Sequence, residues 1–179
     1  MAGLSLTACA MPALPPPAAT LDNIQSLRAG NVGPMRVGTF TAAPGIPAQM
    51  DREVAVRAGV QPAPKGSFAR YLADTLAAEL SGAGKLEPGS TLVVSGVLSD
   101  THVDSLVPTA HARLGARFAL ARGQTTVFDK TLSVQSVWDS NIIGAVAIPD
   151  ALNHYIGLYP KLVAVLLADP DFRRASRGP

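Results

Sequence analysis

Asp100, His102 and Asp104 alternate with Thr101 and Val103. On a β-strand the three donors share one face, and two carboxylates with an imidazole are a ligand set for a divalent metal. His111 could reach them from a neighbouring strand. No second ligand cluster completes the group, so a solvated strand end without metal is expected. Gly82-Ala83-Gly84-Lys85 has the glycines and lysine of a phosphate loop, but Leu86 stands where Ser or Thr is needed. The group also follows a helical pattern, whereas phosphate needs the free N–H groups at a helix start. A helix stop is expected there. There is no Gly-x-Ser-x-Gly elbow, and Cys9, the one Cys, precedes the domain with no His beside it. Neither a serine nor a cysteine nucleophile arrangement therefore has support in the sequence. His154 lies among apolar helix positions beside Asn153 and is expected at a helix edge. No catalytic residue and no cofactor are expected.

Arg113, Arg117 and Trp138 are the candidate interaction surface. The two arginines, with His111, make a basic stripe on a strand, and the sole Trp is large enough to anchor a core or an interface. Arg173, Arg174 and Arg177 add a basic tail. A net charge of +2 with 5% aromatic residues gives neither the field nor the stacking surface that nucleic acid requires.

These residues need a scaffold, and 179 residues with 47% hydrophobic and 16% charged content fit one globular domain. Residues 22–27 suggest a short helical turn. A strand is expected at 35–40, after Gly33-Pro34. Residues 41–65 carry Pro44, Pro47, Pro62 and Pro64 and leave room only for a short strand near 53–57; connections of this length are functional or mobile. Ser67 is placed to cap a helix in which Phe68, Tyr71, Leu72, Thr75, Leu76 and Leu80 recur at helical spacing. Three strands follow, at 91–98 with continuation to 103, at 110–122 and at 125–138. In the second, Ala112, Leu114, Ala116, Phe118 and Leu120 alternate with wetter residues, and Gly123-Gln124 suits a two-residue type II′ turn. Residues 141–149 are apolar but rich in Gly and Ala, and either state fits them. A second amphipathic helix runs from Asp150 to about Asp169, with Asp171 placed to cap a final turn. The order β-α-β-β-β-α implies an α+β fold: a mostly antiparallel sheet of four or five strands with two helices packed on one face. The first strand and helix make its only crossover, expected right-handed. No run approaches the roughly 20 apolar residues of a membrane span; the best, residues 158–168, contains Pro160 and Lys161.

Leu6-Thr7-Ala8-Cys9 resembles the lipobox of bacterial lipoproteins, in which small residues precede the Cys that receives diacylglycerol. The resemblance implies lipidation at Cys9, signal-peptide removal before it, and stable anchoring by two or three acyl chains, palmitate among them, where one would hold only marginally. Ala10 after Cys9, instead of Asp, implies outer-membrane sorting. Pro12, Pro15, Pro16 and Pro17 make the next residues a semi-rigid tether. The expected division is residues 1–8 as signal-peptide remnant, 9–33 as lipidated Cys and tether, 34–175 as the α+β domain and 176–179 as basic tail.

The helix at 68–76, the strand Leu92-Val93-Val94-Ser95-Gly96-Val97-Leu98, the hairpin closing on Val137-Trp138 and the ending Leu166-Leu167-Ala168-Asp169-Pro170-Asp171-Phe172 resemble small bacterial lipoproteins of the YajG-like and ABC-transporter-auxiliary type. Their fold is compared with the amino-terminal domain of TolB. The resemblance covers residues 35–175 and implies a non-catalytic binding or assembly accessory of an envelope transport system, lipid-anchored in the outer membrane and facing the periplasm. An envelope protein or a second copy is the implied partner. Two other readings are a periplasmic lipoprotein that binds a lipid or saccharide under the 41–65 connection, and an envelope hydrolase.

Overall fold

Three of the described α-helices begin where a side chain accepts from an otherwise unpaired N–H. In the computed structural model, which describes residues 13–57 and 59–177, Thr20 caps α1 (Leu21–Ala29) and Ser67 caps α3 (Phe68–Gly82), accepting from Arg70 N at 3.1 Å. The stop after α3 is a Schellman motif. Gly84 N donates to Ser81 O and Lys85 N to Leu80 O, and Gly84 takes the positive φ of 71° that the turn requires. The four residues that faintly matched a phosphate loop are thus a helix stop.

Four strands form one sheet in the order β1-β4-β5-β6: β1 (Arg36–Ala42), β4 (Leu92–Asp104), β5 (Thr109–Arg122) and β6 (Thr125–Asp139). β1 runs parallel to β4, joined through α3, and the other two pairings are antiparallel. The sheet is therefore mixed. At the β5–β6 turn only Gly123 has positive φ, 59°, as a type II′ turn needs. Gly96 serves a close approach: a Cβ there would stand 2.3 Å from Phe40, whose ring crosses β4 to meet Phe118 edge-on at 6.2 Å.

Among the described residues five helices occur where two packed on the sheet were expected, and the short turns expected at residues 22–27 and at the carboxyl end are helices in their own right. Besides α3 and α4 (Gly144–Ala168) there are α1, α2 (Ala48–Arg52) and α5 (Pro170–Ser176), of nine, five and seven residues, too short to display an apolar period. The 41–65 connection is not a bare loop. It folds into α2, the antiparallel hairpin β2 (Glu53–Val56) and β3 (Gly59–Pro62), and a 3-10 turn at Pro64–Gly66. α4 starts at Gly144, six residues ahead of the expected Asp150, and keeps Pro149 and Pro160 inside it. At 25 residues it is also long and apolar enough to cross a membrane, with 50% of its most apolar 18-residue window buried. That burial is against α3 and the helix-facing side of the sheet, where Tyr155, Leu158, Tyr159, Leu162 and Leu166 join Phe68, Leu72, Leu114 and Phe118 in one core.

Asp169, not Asp171, caps α5. Its Oδ1 accepts from Asp171 N at 2.9 Å and Phe172 N at 3.1 Å, and its Oδ2 takes Lys130 Nζ at 2.6 Å. Pro170 at the first helical position loses nothing by lacking an N–H. Burial, to 8% exposure, pushes the Asp169 carboxyl up, but Lys130 and the two amides outweigh it and hold the group below the usual aspartate range. A depressed folded value means the stabilisation is complete above the unfolded pKa of about 3.9 and is lost as pH falls through the folded one. Urea unfolding at pH 7 and pH 3 should show a larger acid loss in the wild type than in Asp169→Asn, which retains a capping oxygen without the charge.

Candidate functional site

Leu6, Thr7, Ala8 and Cys9 lie outside the described residues, and from Leu14 onward the chain is packed on the domain. Leu14 packs against the core, and the Pro15 carbonyl accepts from Tyr71 Oη at 3.0 Å. Residues 15–18 lie between α3 and α4, beside Thr75, Asn153, Ile156 and Pro160. Glu79 then gathers the start of α1: it accepts from Thr20 N at 2.8 Å, Thr20 Oγ1 at 3.0 Å and Asn23 Nδ2 at 2.8 Å. The segment expected to be tether to residue 33 is thus part of the domain from residue 14. The basic tail is likewise docked, for Arg173 donates to Leu167 O and Ser26 Oγ, and Arg122 to Arg177 O.

On the sheet face away from the helices, a one-residue irregularity between Leu98 and Asp100 decides what is displayed. Before it Val94 and Leu98 point into the core; after it Thr101 and Val103 do. Without the extra residue Asp100, His102 and Asp104 would keep the inward parity, so the bulge turns three polar side chains out of the core. Register pairs Asp104 with His111, and the His102 and His111 rings stand 5.7 Å apart. His102, Asp104 and His111 bring one donor each to within 4.8 Å of one another, all half-buried. His111 does approach from the neighbouring strand β5, as its place in the sequence allowed. Asp100 does not join, being turned to Arg113 at 3.3 Å. Small side-chain rotations would close the trio to a two-His-one-carboxylate arrangement.

Arg113, Arg117 and Trp138 do not form one surface. Arg113 and Arg117 share the outward face with their carboxylate partners: Arg117 is bidentate to Asp129 at 2.6 and 2.5 Å, which raises the guanidinium and lowers the carboxyl chiefly through the hydrogen bond. Trp138 pairs in register with buried Ala110 and so lies on the helix side. There it stacks on His154 at 4.2 Å and 5°. The alternation within β5 puts the two arginines on its wet face, but it could not place Trp138, because a register shift of one exchanges the faces.

His154 Nδ1 is 2.9 Å from Ser136 Oγ, and its Nε2 is 3.8 Å from Asp150. The serine contact is a hydrogen bond and the aspartate contact is too long to be one, so the arrangement docks α4 on β6 without the oriented imidazole of a hydrolytic triad. Deeper in, Thr101 Oγ1, Tyr155 Oη and Tyr159 Oη form a chain at 2.6 and 2.9 Å. Burial pushes the phenols of Tyr71, Tyr155 and Tyr159 up, which leaves them protonated at neutral pH. An open cavity of 370 Å³ lies between the α2–β2 segment and the far end of β4. Met50, Val54, Ala55 and Val103 line it, with Glu53 and His102 among its polar groups; its size is at the low end for ligand pockets.

No protein-family model and no curated protein matches this chain. Among solved structures it is similar to a protein from Xanthomonas campestris of the DUF330 family, at 15% identity and a TM-score of 0.51 over 75% of this chain and 84% of that one. It is also similar to a protein from Caulobacter crescentus CB15 designated a lipoprotein, at 12% identity and a TM-score of 0.48 over 88% and 98%. A minor lipoprotein from Acinetobacter baumannii aligns at 11% identity and a TM-score of 0.47 over 80% and 95%. What this chain shares with the Xanthomonas protein is its fold, a mixed α+β arrangement of sheet and helices.

Proposed function

We propose that this protein is a bacterial lipoprotein acylated on Cys9, held in the outer membrane and facing the periplasm, whose domain is a non-catalytic binding or assembly accessory of an envelope transport system. The observation that carries the reading is the lipobox-like Leu6-Thr7-Ala8-Cys9 set just ahead of a folded domain that begins packing at Leu14. An anchor so near the core holds the domain close to the membrane surface. The 3.8 Å between His154 and Asp150 leaves the Ser136–His154 pair without an orienting carboxylate, which supports a non-catalytic role.

Expression with a complete signal peptide in a bacterium fed labelled palmitate tests it. The wild type is expected to take label and to float with outer membranes, whereas Cys9→Ser takes no label, keeps its signal peptide and is lost from the outer-membrane fraction. Equal label or equal recovery in the outer membrane in both overturns the reading. The cavity beside Met50 and Val54 favours a second reading, a lipoprotein that carries a small amphiphile, and solvent extraction of the purified protein releases such a molecule only in that case.

A further inference from the structure

Two loops meet at the end of the sheet where β4 stops and β5 begins: residues 105–108 join those strands, and residues 140–143 join β6 to α4. Ser140 N donates to Pro108 O at 2.8 Å and Ser140 Oγ to Ser105 O at 3.0 Å, while Arg57 donates to Ser140 Oγ at 3.1 Å. The loops are therefore one tip. It presents Leu106 at 68% exposure, Ile142 at 78% and Ile143 at 59%, with Val107 and Val146 also exposed. Neither 105–108 nor 142–148 contains an acidic or basic residue. Scattered apolar side chains on a surface are ordinary, but a group gathered on one tip marks a contact.

The course of the amino-terminal segment says what the contact is. From Thr20, held by Glu79 near the end of α3, the chain runs back to Pro15, held by Tyr71 near the start of α3. Along α4 it passes from Pro160 to Asn153, toward the Gly144 end where Ile143 and Val146 lie. From Asn153 to Ile143 is about 15 Å at the helical rise. From Leu14 back to Cys9 is five residues, which reach about 18 Å when extended. The chain is thus directed at the tip, and Cys9 can stand level with it.

We propose that the tip of Leu106, Val107, Ile142, Ile143 and Val146 enters the interfacial layer of the same bilayer that holds the acyl chains on Cys9, so that the domain stands on the membrane by lipid and protein together. The choice of a bilayer as occupant rests on the reading that Cys9 is acylated. Apolar side chains at the headgroup boundary add to anchoring in proportion to the area they bury, and the docked α1 fixes which end of the domain is lowered.

The test has two arms. In the first, the full chain with Cys9→Ser is floated with vesicles of phosphatidylethanolamine and phosphatidylglycerol, with and without Leu106→Ser, Ile142→Ser, Ile143→Ser and Val146→Ser together. These positions are exposed, so the circular dichroism spectrum should be unchanged. The native tip is expected to partition at least about tenfold better. In the second, the acylated chain, whose Cys9 thiol is consumed, carries a fluorophore on Ile143→Cys or on Gln124→Cys, about 45 Å away at the other end of β5. Lipid-borne quenchers should quench position 143 and spare position 124. Equal partitioning in the first arm, equal quenching in the second, or a tip shielded by self-association at unchanged partitioning each overturns the proposal. Failure of acylation would appear as missing palmitate label, and the first arm, which carries no lipid, decides the tip regardless.

Discussion

Glu79→Ala is expected to destabilise the domain by about 3–5 kcal/mol and to release α1 from its surface. Glu79 is fully buried, and its carboxylate accepts three hydrogen bonds from Thr20 and Asn23, 59 and 56 residues away in sequence. Truncation leaves those donors unpaired in a dry site, and each unsatisfied group costs about 1–3 kcal/mol. A cavity adds to the loss. Asn23 retains its bond to Pro160 O at 3.1 Å, which keeps the total below the sum of three full penalties. Urea unfolding should show the midpoint falling by more than about 1 M, and limited proteolysis should cut within residues 13–29 of the variant before the rest. Glu79→Gln keeps one acceptor but turns an NH2 group toward donors, so an intermediate loss is expected. A loss under about 1 kcal/mol for Glu79→Ala would mean that α1 is no part of the cooperative unit, and the direction in which the chain leaves the domain would then be unfixed.

Phe68→Ala is the second large effect, at about 3–5 kcal/mol. Phe68 opens α3 and is wholly buried. Its ring meets Tyr155 edge-on at 5.3 Å and Tyr159 at 6.4 Å, so it fills the junction between α3 and α4. Tyr155 in turn is tied to Thr101 on β4. Removing the ring leaves a void among aromatic side chains that cannot collapse without breaking that hydroxyl chain. A thermal melt should move down by roughly 10 °C for a domain of this size, and Phe68→Leu should lose far less.

Much of the architecture can be read from short stretches of sequence. The apolar period of α3, its Ser67 cap, its glycine stop and the Gly123 turn of the β5–β6 hairpin all stand as the spacing predicts. α1, α2 and α5 were harder, since a helix of five to nine residues shows at most two turns of pattern. The early start of α4 was masked by Gly144, Val146, Ile148 and Pro149, residues with weak or adverse helix propensity that burial of Ala147 and Ala151 overrides. The mixed sheet was implicit in the single crossover, yet the pairing of β1 with β4 had to be seen.

The surface residues divide along the same line. Asp100, His102 and Asp104 were legible as a spaced trio with His111 as a neighbour, but only the β4–β5 register and the turn of Asp100 to Arg113 select His102, Asp104 and His111. Arg113 and Arg117 were correctly read as the wet side of a strand, whereas Trp138 belongs to the other face with His154. Glu79 gave no signal at all, because a lone acidic residue in an amphipathic helix looks like any solvated side chain until Thr20 and Asn23 are folded onto it. Caps, turns and periodicity are settled by residues within one or two turns of each other, so the order of amino acids is sufficient to determine them. The faces of the sheet, the docking of the amino-terminal segment and the gathering of Leu106, Ile142 and Ile143 at one end depend on contacts between residues tens of positions apart, and those exist only once the whole chain has packed.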